Sequence, residues 1–389
     1  MKSPLLFSPL ILAAVASACA QTYTYKTVQQ ANLKTGQPIS AIAISGNIGY
    51  GSDLDASGTI YRATPSMGVH PKTNCCQSNA ALISDSRGNL YGQDHMGANL
   101  RGRIFMVSAT TWKETDLYAF TGGEDGWVVE GEFYPTGAPI VESPVTMDPS
   151  GNLWGVTYLG GPYPNCVYGS NNAATCGVVF ELTPNGDGTW SETVIHAFSG
   201  TPDGGEPEGA LAYDATTDSF YGTTQQGGNT ACNCGTVYQL SPNGDGTWSE
   251  SIVYTFLSPG EPTGGVTIDA QDNLYGVNFA TEGYVYEISG GQFSVIASLF
   301  EPIGLVMDSA GNLLGTSHGG GQYNRGTIFE LSPSQNGWQE TIIHSFSGVQ
   351  PDGELPNTGL AMDPGGNLWG VTPRGGANGK GLFFEVVKQ

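Results

Sequence analysis

Basic side chains are scarce in this chain: lysine and arginine number 13 among 389 residues, against 35 aspartates and glutamates. So acidic a surface repels phosphate backbones and anionic lipid, which excludes nucleic acid as an expected partner. Cations, metal ions and neutral polymers remain. Charge of either sign is also short, at 12% of residues, about half the usual share near 25%. Beyond residue 20 no stretch reaches the roughly 18 apolar residues that a membrane-spanning helix needs, so no transmembrane segment is expected. Also missing are a His-Glu-x-x-His pair and a phosphate-cradling loop. What is plentiful is 58 Gly, 23 Pro and 18 Tyr, a composition for short strands and tight turns rather than helices or a disordered chain.

Residues 1–20 read as a secretory signal peptide: Lys2 is followed by an apolar run over 5–15 and a small-residue end at Ala16-Ser17-Ala18-Cys19-Ala20. Ala18-x-Ala20 suits cleavage before Gln21, the favoured reading, whereas Cys19 offers a weaker lipoprotein site. The remainder, 21–389, is expected to be one domain, secreted, extracellular or periplasmic. Without Lys2 it has 12 basic side chains against 35 acidic, a net charge near −23.

Cysteine usage agrees with export. Besides Cys19 there are Cys75, Cys76, Cys166, Cys176, Cys232 and Cys234, and an even count in an exported chain implies disulfides. Cys166–Cys176 closes one loop most easily. Cys75-Cys76 and Cys232-x-Cys234 are expected to bond poorly within their own pairs. These four would cross-link between pairs or form a four-thiolate metal site, with disulfides preferred.

One phrase recurs: Asp-x-x-Gly-Asn-Leu-aromatic-Gly. It reads DSRGNLYG at 85–92, DPSGNLWG at 148–155 and DPGGNLWG at 363–370, with single departures at 269–276 and 308–315 and looser copies at 214–222 and 45–51. Seven anchors at a period of roughly 40–65 residues signify repeated units that cannot bury their own apolar faces alone. The third unit shows four strand-like runs, at 143–147, 152–157, 177–183 and 190–198, bounded by turn residues. Third strands recur at 102–107, 235–240, 283–288, 326–331 and 381–386. Outer strands recur at 112–120, 248–256, 293–300 and 338–346. Four strands repeated seven times predicts an all-β, seven-bladed β-propeller of four-stranded antiparallel blades. The last unit stops after its third strand, and residues 22–28 (TYTYKTV) resemble an outer strand. The ring is therefore expected to close by the N-terminal strand completing the last blade, which removes two exposed edges.

In such a ring the short DPSGN and PNGDGT turns fall on one face, and the PNGDGT hairpins at 184–189 and 242–247 are turn chemistry rather than calcium loops. The long second-to-third and inter-blade loops fall on the other, the candidate binding face. Three residues after the anchor glycines stand His95, Tyr158, Gln225, Phe279 and His318, with Leu54 and Pro373 at the same ring position and Arg374 beside it. These are the channel-mouth candidates. Carboxylates on the inter-blade rim, Asp125, Asp203, Glu206, Asp352 and Glu354, are candidate ligands for calcium or magnesium. His196 and His344 take the places of Tyr118 and Tyr254 in sister units and are expected to pack.

The extended unit at 346–376 (FSGVQPDGELPNTGLAMDPGGNLWGVTPRGG), with 198–228 and GTIFEL at 326–331, resembles the GloVer tandem repeat of bacterial exported choice-of-anchor proteins. That resemblance covers nearly all of the mature chain and implies export but no particular reaction. Through GNLW alone there is a fainter likeness to streptogramin lyases and NHL-type propellers, which implies a metal ion and a histidine on one face. No complete lyase motif matches, so no catalytic residue is carried over. The expected function is a non-catalytic binding or scaffold module for a glycan, a protein or a cation. Its partner would be an extracellular polymer or protein, and the chain itself a monomer. The alternative is a metal-dependent lyase or hydrolase at the channel mouth, using His95 and His318.

Overall fold

A computed structural model describes residues 22–28, 42–46, 48–52, 58–64, 68–74, 81–97, 100–128, 143–164, 166, 175–258, 261–377 and 379–389. The signal-peptide reading, Cys19, Leu54, Cys75 and Cys76 lie outside them. Seven four-stranded antiparallel sheets follow one another along the chain as the blades of a propeller. Blade 3 is typical, with strands Thr146–Met147, Leu153–Thr157, Val178–Pro184 and Trp190–Ala197 paired in that order from channel to rim. Blade 4 is the largest, its first strand running over Gly205–Asp214.

The anchor phrase is the turn between first and second strands. In blade 3, Asp148 Oδ1 accepts the backbone N–H groups of Ser150 and Asn152, at 2.8 and 2.9 Å, and Oδ2 accepts the Asn152 side-chain amide at 2.9 Å. The indole N–H of Trp154 reaches the same Oδ2 at 3.2 Å. Asp85, Asp269 and Asp363 hold the same set of partners, with Tyr91, Tyr275 or Trp369 as the aromatic donor. The fourth residue of the phrase must take positive φ, as Gly151 does at +87° and Asp272 at +61°, which explains glycine there and why aspartate can replace it. Asp, Asn, Gly and aromatic thus all serve one self-contained turn.

The closing glycine has a different task. It pairs across strands with a third-strand aromatic: Gly155 with Phe180, Gly222 with Tyr238, Gly276 with Tyr286 and Gly370 with Phe384. A β-carbon on Gly155 would lie 2.6 Å from Phe180, and one on Gly370 only 2.2 Å from Phe384. The missing side chain is the slot the ring fills.

The core lies between blades, as the repeats demand. Trp154 and Phe198 of blade 3 pack with Phe220, Tyr238 and Leu240 of blade 4, all but sealed from solvent. At the seams, the glycine opening a third strand abuts a proline opening the next blade. A β-carbon on Gly177 would meet Pro207 at 2.7 Å, and one on Gly326 would meet Pro356 at 2.5 Å.

Tyr23–Thr27 is the outer strand of blade 7, antiparallel to Leu382–Lys388, with Tyr23 opposite Lys388 and Thr27 opposite Phe384. The ring therefore closes by joining its two ends, as the sequence predicts. One addition was not foreseen: Gly353–Glu354 and Arg374–Gly375 form a separate two-stranded ladder.

The disulfides agree in one case and correct the sequence reading in the other. Cys166 bonds Cys176, with Cα atoms 5.1 Å apart. Cys232 bonds Cys234 within its own pair, against expectation. The reason is the residue between them: Asn233 takes φ of +54°, which folds the chain so that the flanking Cα atoms stand 5.2 Å apart. An extended backbone would hold them about 6.6–7 Å apart, at the edge of what a disulfide spans.

Candidate functional site

The first strands of the blades line a central channel, and they crowd it. A β-carbon on Gly209 would fall 2.1 Å from the backbone nitrogen of Gly265, and one on Gly304 would fall 3.1 Å from Gly359 Cα. Glycines in PEGALAYD, PTGGVTID, PIGLVMD and PNTGLAMD let these strands approach. Among the described residues the channel holds an apolar cavity of about 180 Å³, bounded by Glu208, Thr263, Phe279, Ile303, Asn357 and other residues from blades 2 to 7. These residues sit where first strands begin and second strands end, so the cavity belongs to the variable-loop face. Its volume suits a few waters or a small side chain, not a drug-sized ligand.

The channel-mouth candidates divide. Phe279 lines the cavity and packs on Ile303. The Tyr158 hydroxyl donates to Glu206 at 2.7 Å and stands 3.1 Å from Gln225 Oε1. The Gln225 amide in turn donates to Glu208, a cavity residue. Tyr158, Gln225 and Phe279 are thus connected to one place. His318 turns its Nδ1 to the Pro356 carbonyl, 2.9 Å away. Arg374 is exposed, its backbone paired with Glu354. His95 is buried beside Asp94, which holds Arg103 through Nε at 3.0 Å and Nη2 at 3.1 Å. Burial pushes the Glu206 carboxyl up to about 7, against the stabilising bonds from Tyr158 and Gln226.

The rim carboxylates prove to have a shared local job. Asp125 accepts from the Thr121 backbone N–H and hydroxyl, at 2.7 and 2.6 Å, and from the Tyr118 hydroxyl at 3.1 Å. Asp203 does the same for Ser199, at 2.8 and 2.9 Å, with His196 Nε2 at 3.2 Å. Asp352 repeats it with Ser347 and His344. Burial alone would raise the Asp352 carboxyl, but the His344 and Ser347 bonds outweigh it and hold it at about 2. Glu354 forms an ion pair with Arg325. Each of these aspartates staples the turn that leaves an outer strand.

The next blade supplies one more side chain to each seam. His344 is stacked on Tyr25 of blade 7, ring centres 3.7 Å apart, and Tyr25 donates to Asp352. Tyr254 is stacked on Phe293 of blade 5 at 4.3 Å. Between blades 2 and 3, Glu192 faces Tyr118 and Asp125. Between blades 3 and 4, Glu250 joins His196 and Asp203, with one potential ligand atom from each inside a 4.8 Å span. Among the described residues this is the one such gathering of three. His196 does pack, edge-on to Phe198, but sequence reading did not foresee its place beside Asp203 and Glu250. The spacing His-x-Phe-Ser-x-x-x-Asp was visible. The third member lies one blade on, and only the register of the ring brings it close.

Large exposed apolar side chains are concentrated on the variable-loop face. Leu257 and Val349 are 70% and 71% exposed. Phe300 shares their inter-blade position, and Leu100, Tyr163 and Tyr323 stand exposed on second-to-third loops.

Residues 280–389 match the model of the Gloeobacter/Verrucomicrobia repeat. No curated protein matches the chain. Among solved structures, an ancestral GH74 enzyme is similar at TM-score 0.57 and 10% identity, covering 91% of this chain and 48% of its own. A puromycin-hydrolyzing peptidase of Mycobacterium tuberculosis is similar at 0.53 and 12%, covering 86% of this chain and 50% of its own. A Bacteroides uniformis protein named as a 6-phosphogluconolactonase is similar at 0.52 and 13%, covering 85% of this chain and 95% of its own. This chain thus spans about half the length of the first two. At such identities the likeness is one of fold, and one fold carrying three named activities selects none of them.

Proposed function

We propose that this seven-bladed ring is an exported, non-catalytic binding module that takes a protein ligand on its variable-loop face. The observation that carries this reading is that, among the described residues, six of the nine large exposed apolar side chains, Leu100, Tyr163, Leu257, Phe300, Tyr323 and Val349, stand on loops of that face, the other three lying on outer strands. Exposed apolar patches on a rigid frame mark docking surfaces. Aliphatic side chains among the aromatics favour a protein over a glycan, since sugars are held by stacked rings and hydrogen bonds.

The disulfides Cys166–Cys176 and Cys232–Cys234 support an oxidising compartment. The channel favours the same reading. It is small, walled by glycine and apolar atoms, and its Glu208 is bonded to Gln225, which is linked through Tyr158 to Glu206.

The test is capture of envelope proteins on the immobilised full chain, compared with a Leu257→Ser, Tyr323→Ser, Val349→Ser triple variant and with a glycan array. Saturable capture of a discrete protein, weakened at least about tenfold in the variant (~1.4 kcal/mol), is expected. Binding indifferent to the variant, or binding of glycans only, would overturn the reading.

A further inference from the structure

The seam between blades 3 and 4 differs from its sisters in one chemical respect. In the blade 6–7 seam the partner of His344 is a phenol ring, which stacks on the imidazole and donates its hydroxyl to Asp352. In the blade 2–3 seam the Tyr118 hydroxyl donates to Asp125. The blade 4–5 seam is closed by two stacked rings. These seams set an aromatic ring or a tyrosine hydroxyl where the histidine or carboxylate needs a partner, although in the blade 2–3 seam Glu192 also keeps a shielded oxygen that receives no hydrogen bond. The blade 3–4 seam instead sets one imidazole against two carboxylates, His196 with Asp203 and Glu250. Glu250 keeps an oxygen that is shielded from solvent and receives no hydrogen bond. A buried carboxylate oxygen without a donor is costly unless something positive faces it.

The donor set says what that something is. His196 Nε2 and Asp203 Oδ1 are 3.2 Å apart, much as His344 and Asp352 are at 3.1 Å, and what sets this seam apart is the third ligand atom, on Glu250, within the same 4.8 Å span. Two ligands each about 2.0–2.1 Å from a tetrahedral zinc stand about 3.3 Å apart. We propose that His196, Asp203 and Glu250 bind one divalent cation of the zinc class and so clamp blade 3 to blade 4. An imidazole beside two carboxylates suits zinc or a neighbouring first-row ion better than calcium or magnesium, which prefer six or more oxygens. With three protein ligands the ion keeps a position for water. Ser199, which holds Asp203 through its hydroxyl and backbone N–H, orients the carboxylate from behind.

The test uses the full chain, stripped with chelator and returned to buffer with excess magnesium. Zinc is then titrated by calorimetry while melting is followed in parallel. One equivalent bound and a raised Tm are expected. Glu250→Gln should weaken zinc binding by at least about tenfold (~1.4 kcal/mol). His196→Tyr should do the same, and it rebuilds the seam that Tyr118 already forms in this fold, so the variant should remain folded. Glu192→Gln, at the equivalent position one seam earlier, should leave binding unchanged. Absence of stoichiometric zinc binding would overturn the proposal. So would binding retained in both Glu250→Gln and His196→Tyr, which would place the ion elsewhere on the acidic surface.

Discussion

Gly155 lies directly against the ring of Phe180 on the neighbouring strand, so close that a β-carbon would stand 2.6 Å from the ring tip. Phe180 is fully buried and cannot swing away. Gly155→Ala should therefore destabilise the fold by about 1–3 kcal/mol, as overpacking does. Gly151, four residues earlier, has φ of +87° and nothing near its missing side chain. Gly151→Ala should cost only the conformational strain, about 1 kcal/mol. Denaturant unfolding of the two variants separates crowding from backbone strain, and equal losses would show the slot is not filled as described.

Asp363 is almost sealed from solvent and accepts from Gly365, Asn367 and Trp369. Asp363→Ala would leave two backbone N–H groups, an amide and an indole without their acceptor. A loss of about 2–4 kcal/mol is expected from bonds to a charged group. Asp363→Asn should recover part of it, since one amide oxygen can still serve the backbone donors. Melting of both variants checks the order.

Tyr25 holds the closing strand in two ways, by stacking on His344 and by donating to Asp352. Tyr25→Phe should keep the stack and cost about 1 kcal/mol. Tyr25→Ala should cost about 3 kcal/mol or more and free two strand edges, so light scattering should report association of the alanine variant alone.

Glu206 carries a pH signature. Burial raises its carboxyl from 4.5 to about 7. Between those values the folded chain holds a proton that the unfolded chain has lost, so stability falls as pH rises through the window and levels off above it. The shift corresponds to about 3 kcal/mol. Glu206→Gln keeps an acceptor for Tyr158 and should reduce the slope between pH 5 and 8, with its gain largest at pH 8, the remaining slope belonging to Glu192 and Glu250, which burial also raises to about 7. An unchanged slope would assign the pH dependence to other groups.

The ring itself was legible because its signals are local. The Asp-to-Gly phrase closes its own turn, and the aromatic at each rim marks an outer strand. Even the closing strand could be read, since residues 22–28 share the rim pattern and the last unit lacks one. Three things were not legible. The Cys232–Cys234 bond depends on the left-handed conformation of Asn233, which the residue tolerates but does not require. The Glu354–Arg374 pairing joins two loops that carry no strand pattern. The blade 3–4 cluster needs Glu250 in register with His196 across two sheets, and no spacing within one repeat encodes that. Carboxylates that looked like rim ligands, Asp125 and Asp352, are bound to their own turns.

The ladder between Tyr23–Thr27 and Leu382–Lys388 has a mechanical consequence. Because it is antiparallel, Tyr23 faces Lys388, so the start of one strand and the finish of the other lie at the same end of the pair. Tension applied between the termini would load these hydrogen bonds one at a time, peeling the strands like a zipper instead of shearing them together. A tether at a single end leaves the pair unloaded. Strung between two anchors, the molecule would give way first at its own clasp.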